Sequence, residues 1–110
     1  MPLFERVRIE VYLPRLSSRE YEELLRAFAS EFTFAFGGCS TLKDLEGSYL
    51  SKSGVVVPDQ ISLIYSDIPL TLSTDFEIVA AYAGGVRRAA MKTLPEEEVL
   101  VAVAQIYHTV

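Results

Sequence analysis

The chain holds one thiol, Cys39, and one imidazole, His108. Each could carry nucleophilic or acid–base chemistry, and each lacks the sequence neighbours that such chemistry needs. Cys39 follows Gly37 and Gly38, whose backbone amides could hold an anion or favour a thiolate. No histidine adjoins it to act as its base, and the plainer reading is a small buried hydrophobe in a strand. His108, beside Tyr107, cannot build a metal site from its sequence neighbours. Neither a metal nor a cofactor is expected.

A third set of polar groups comes from spacing. Arg8, Glu10 and Tyr12 recur at every second position, so in a strand they share one face. Ser62 and Ser66 are expected beside them on another strand. Once a second copy covers such a face it becomes a shallow pocket with a few convergent polar groups, the setting in which a small ligand binds. Tyr49 and Lys52 are surface candidates on a hairpin. The ligand-binding candidates are therefore Arg8, Tyr12, Cys39, Tyr49 and His108. The acidic run Glu96, Glu97 and Glu98 is a poor magnesium or calcium site, because consecutive strand residues point to opposite sides. Arg87 and Arg88 are accounted for by the negative end of a helix dipole.

The elements that must position these groups follow from periodicity. Val7, Ile9, Val11 and Leu13 alternate with Arg6, Arg8, Glu10 and Tyr12, a strand with one apolar face that Pro14 ends. Ser17 and Glu20 have capping-box spacing. Tyr21, Leu24, Leu25, Phe28 and Phe32 then form the stripe of an amphipathic helix, solvated opposite by Arg19 with Glu23 and Glu22 with Arg26. Phe32, Phe34 and Phe36 are spaced by two, which predicts a change to strand before Phe34, with Gly37 and Gly38 as a bulge in a strand that runs to Thr41. Turn residues at 52–54 predict an added edge hairpin over 48–57. Residues 60–66 read as a third main strand, with Asp67 opening a loop. Thr74 and Glu77 repeat the capping-box spacing. Phe76, Val79, Ala83, Val86 and Ala90 make a second helix, with Gly84 and Gly85 predicting a kink or a close packing contact. Residues 98–107 form a last strand, with Val99, Val101 and Val103 on one face and Leu100, Ala102, Ala104 and Ile106 on the other.

This order predicts an α+β fold over residues 1–110 as a single domain. It is a ferredoxin-like two-layer sandwich: an antiparallel sheet with two helices on one face and an extra β-hairpin. The segment Phe36-Gly37-Gly38-Cys39-Ser40-Thr41, preceded by a capped helix and followed by a hairpin, resembles small bacterial ferredoxin-like families of unknown function. The resemblance implies a fold and self-association. It carries over no catalytic residue.

Composition removes several classes of function. Half of the residues are hydrophobic, ample for a packed interior, and one cysteine allows no intrachain disulfide. The first ten residues alternate charge with apolar side chains, unlike an export signal, and no apolar run nears the length of a membrane span. A cytoplasmic protein without membrane contact is expected. Fifteen acidic against ten basic residues give a net charge of -5. The basic ones are scattered, which disfavours nucleic acid, RNA on the open sheet included. A last strand apolar on both faces needs cover that two helices cannot supply, so a homo-oligomer is expected, with a dimer favoured. The resulting expectation is a self-associating module with an interaction or ligand-sensing role. The alternative is a small enzyme or ligand-binding protein of the dimeric α+β barrel type, using the open sheet face.

Overall fold

A computed structural model describes residues 3–16, 18–95 and 97–109. The order is β1 (Leu3–Pro14), α1 (Arg19–Phe36), β2 (Ser40–Leu50), β3 (Val56–Ile68), α2 (Leu72–Thr93) and β4 (Leu100–Thr109). The strands form one sheet in the order β2-β3-β1-β4, and every neighbouring pair is antiparallel. This is the expected ferredoxin-like arrangement. Neither helix is long and apolar enough to cross a membrane.

β1 is the organising strand, bonded to β3 on one side and β4 on the other. Its apolar row, Val7, Ile9, Val11 and Leu13, is wholly buried, and burial of each such side chain contributes about 1.5–3 kcal/mol. Against it pack Tyr21, Leu24, Leu25, Phe28 and Phe32 from α1 and Val86 and Ala90 from α2. Ser62 and Ser66 lie on this covered side, 1% and 3% exposed, not beside Arg8 as the sequence predicts. β3 pairs Arg8 with Asp67, so the open face takes its odd-numbered residues and the helices take the even ones. Both serines are satisfied there: Ser62 shares a hydrogen bond with the Tyr21 hydroxyl, and Ser66 donates to the Gly38 carbonyl.

Several boundaries differ from expectation for local reasons. The predicted Ser17 cap lies outside the described residues; the side chain that caps α1 is Ser18, whose hydroxyl accepts from the Tyr21 amide. α1 continues through Phe36 and stops at Gly37, whose φ of 89° is the left-handed conformation that glycine adopts without strain. The glycine pair is thus a helix stop, not a strand bulge. Cys39 lies in the turn before β2. Phe32 and Phe36, four apart, face inward with ring centroids 6.1 Å apart, whereas Phe34 is 89% exposed. The hairpin is no added element: it is the far halves of β2 and β3. β3 has 13 residues and at about 3.3 Å each reaches roughly 43 Å, against a longest molecular extent of 47 Å.

α2 starts at Leu72 after Thr71 and breaks its helical geometry at Asp75, whose carboxylate accepts from the Thr71 amide. The Thr74 to Glu77 box is not formed, and Phe76 is 60% exposed. The helix runs unbroken through Gly84 and Gly85. A Cβ on Gly84 would meet only the tip of Arg88 at 3.3 Å, so these glycines mark neither a kink nor a packed backbone.

Phe32→Ala is expected to lower the unfolding free energy by about 3–5 kcal/mol and Phe34→Ala to change it by under about 0.5 kcal/mol. Denaturant titration of the two variants checks that both rings belong to one helix.

Candidate functional site

The register of the sheet builds a row of groups on the side away from the helices. Arg8 of β1 lies between Asp67 of β3 and Ala104 of β4. Its guanidinium grips Asp67 with two bonds, Nε to Oδ1 at 2.8 Å and Nη2 to Oδ2 at 3.1 Å. The same group lies over the Tyr65 ring, 4.4 Å from its centroid, an attraction between cation and ring quadrupole. His108 reaches across from β4 and sets Nε2 2.9 Å from Asp67 Oδ2. Side chains from β1 and β4 therefore converge on one carboxylate of β3.

Their electrostatics follow from that convergence. The hydrogen bonds from Arg8 hold the Asp67 carboxyl below its ordinary value; burial opposes this, and the Arg8 charge and His108 add to it. The bond to Asp67 likewise raises the Arg8 guanidinium. Tyr12 lies further along the face, between Leu63 and Leu100. Burial, reinforced by Glu10, pushes its phenol up.

Beside the cluster is a cleft of about 390 Å³ lined by Phe36, Gly37, Gly38, Cys39, Ser40, Tyr65, Ser66 and Asp67. It exists because β2 begins at Ser40 opposite Tyr65, leaving the last residues of β3 without a strand neighbour on that side. The α1–β2 turn fills part of the gap and is tied down by the bond from Ser66 to Gly38. Added Cβ atoms at Gly37 and Gly38 would meet nothing within 4 Å, so the turn's backbone is open to an approaching molecule. A larger groove of about 510 Å³ lies elsewhere, along Arg15, Glu46, Gly47, Pro58, Asp59 and Gln60. It holds none of the converging groups.

Arg8 and His108 are brought together, and Cys39 lines the adjoining cleft. The Cys39 sulfur lies 3.6 Å from the Ala29 carbonyl and 3.8 Å from the Thr33 hydroxyl, contacts of a half-buried packing residue. Tyr12 shares the face without joining the cluster. Tyr49, 54% exposed, sits near the hairpin end opposite Val57, apart from the other candidates. Sequence reasoning misses Asp67, the hub, because its position next to Ile68 and Pro69 reads as the opening of a loop. Its spacing of two from Tyr65 and four from Leu63 is the signal that could have found it. Among the described residues no three of His, Cys, Asp and Glu come close enough to hold a metal ion.

No protein-family model matches the chain, and no curated protein matches it. Solved structures do match in fold. CPII, a nitrogen regulatory PII-like protein from Thiomonas intermedia K12 bound to ADP, AMP and bicarbonate, aligns with a TM-score of 0.54 at 14% identity, covering 98% of this chain and 97% of that one. A phage SAM lyase in complex with S-methyl-5'-thioadenosine aligns at 0.54 and 12% identity, covering 96% and 90%. The divalent cation tolerance protein CutA1 from Thermus thermophilus aligns at 0.50 and 17% identity, covering 90% and 82%. At such identities the likeness establishes the shared fold alone, in agreement with the ferredoxin-like expectation.

Asp67 has a depressed pKa in the folded chain, so its contribution to stability is present above its unfolded value of about 3.9 and is lost as pH falls through the folded value. Asp67→Asn is expected to cost about 1–3 kcal/mol at neutral pH and to flatten the acid limb of the stability–pH curve. Urea titrations from neutral pH down through the carboxylate range measure both.

Proposed function

We propose that this chain is a self-associating, ligand-sensing module that takes a small planar ligand of the adenine nucleoside or nucleotide class in the cleft beside Tyr65. The observation that carries this reading is the composition of the cleft. Phe36 and Tyr65 supply aromatic surface for a base, Gly37 and Gly38 let a ligand approach the backbone, and Ser40 and Asp67 supply a hydroxyl and a carboxylate that accept from an exocyclic amine. Arg8, stacked on Tyr65, places positive charge next to that surface. The presence of ADP and AMP in CPII, and of S-methyl-5'-thioadenosine in the phage lyase, supports the same ligand class.

Self-association is supported by the uncovered sheet face. Its Leu100 is 60% exposed, and Ala102, Ala104 and Ile106 are only half-buried in the single chain. A dimer is the smallest assembly that covers this face.

A second reading, a small enzyme on the same face, draws on the contact between Asp67 and His108. That contact fixes which imidazole nitrogen faces the carboxylate and leaves Nδ1 for a substrate. It predicts turnover of an added adenine compound that His108→Gln abolishes. Binding without turnover favours the sensing module.

Isothermal titration with adenosine, AMP and ADP is expected to give saturable binding, weakened about fivefold or more in Tyr65→Ala, as loss of a base stack of about 1–3 kcal/mol requires. Tyr65→Phe should retain it. No heat from any of the three at millimolar concentration would overturn the ligand assignment.

A further inference from the structure

The cleft beside Tyr65 is charged in one sense only. Among its described lining residues Asp67 is acidic and none is basic. Two others, Phe36 and Gly37, are the end of α1, where a helix leaves unpaired carbonyls equivalent to about half a negative charge. No basic residue stands in that last turn to offset them, whereas α2 has Lys92 in its own. The net charge of the chain, -5, has the same sign.

The nearby cation is already committed. Arg8 sets Nε and Nη2 2.8 and 3.1 Å from the two Asp67 oxygens, a bidentate pairing without net charge. Its guanidinium lies over the Tyr65 ring and is not among the lining residues, so a ligand in the cleft meets the carboxylate first. His108 is likewise turned to Asp67, with Nε2 2.9 Å from Oδ2. The glycine pair does not make the anion cradle that its sequence suggests. The Gly37 amide is taken by the Thr33 carbonyl at 2.9 Å, and Gly38 meets Ser66 through its carbonyl.

We propose that the cleft selects the uncharged nucleoside and discriminates against its phosphates, because each phosphate brings negative charge to a site walled by a carboxylate and a helix C-terminus. This rests on the adenine-class reading of the cleft and narrows it to one member.

Isothermal titrations of the unsubstituted chain with adenosine, AMP and ADP, free of divalent cations, are compared at ionic strengths of about 0.01 M and about 1 M, where the screening lengths are about 30 Å and 3 Å. At the lower salt AMP is expected to bind about fivefold or more weaker than adenosine, and ADP weaker again. High salt should close the gap. Asp67→Asn should shrink or invert it, since the carboxylate is gone and Arg8 is released to meet a phosphate. The salt series uses the unsubstituted chain and stands whether or not that variant folds. Binding of none of the three overturns the adenine reading and this proposal with it. AMP bound as well as adenosine, or a gap unchanged by salt or by Asp67→Asn, overturns the discrimination alone.

Discussion

Everything in this molecule is arranged around β1, whose two faces do opposite jobs over the same stretch of backbone. Because it is bonded on both sides, it cannot shift register without moving its whole apolar row out from under the helices. Val7, Ile9, Val11 and Leu13 are buried without remainder, and that fixes where the alternate residues stand. Arg8 is therefore placed by the packing of its neighbours Val7 and Ile9. Asp67 and His108 are brought to it by the two strands that the same register pairs with β1. The polar cluster inherits its geometry from the hydrophobic core on the reverse side.

The same constraint explains which parts of the structure could be read in the sequence. Alternation along residues 6–13 and the stripe from Tyr21 to Phe32 are dictated by burial, so the strand, the helix and their inner faces were legible. Phe34 and Phe36 misled because three aromatic residues spaced by two match a strand, whereas Phe32 and Phe36 alone match a helix. What decides between them is Tyr82, which meets Phe36 edge-on at 5.3 Å and lies far away in sequence. Ser62 and Ser66 misled because polar side chains on β3 are expected on the open face beside Arg8. In fact one is bonded to a core tyrosine and the other to a turn carbonyl, partners that no local pattern announces.

The candidate site shows the same division. Arg8 could be picked out from the polar face of an alternating strand and His108 as the lone imidazole, yet nothing in the sequence joined them. Their union depends on Asp67, an acidic residue just before Ile68 and Pro69, where a loop is the ordinary reading. The cleft was partly visible as a glycine pair before a hydroxyl residue. Its aromatic walls were not, since Phe36 and Tyr65 belong to different elements and meet only in the folded chain.

Phe36 stands at a junction between two parts of the molecule. It lines the cleft, and its ring packs against Phe32 and Tyr82 in the seam between the helices. Burial, with the bond to Glu31 adding to it, drives the Tyr82 hydroxyl's pKa up to about 12, so it remains a protonated donor to the Glu31 carboxylate. A guest that tilts this one phenylalanine would disturb that donor and the mutual seating of the two helices. The rim of the sheet and the seam between the helices thus share one aromatic side chain.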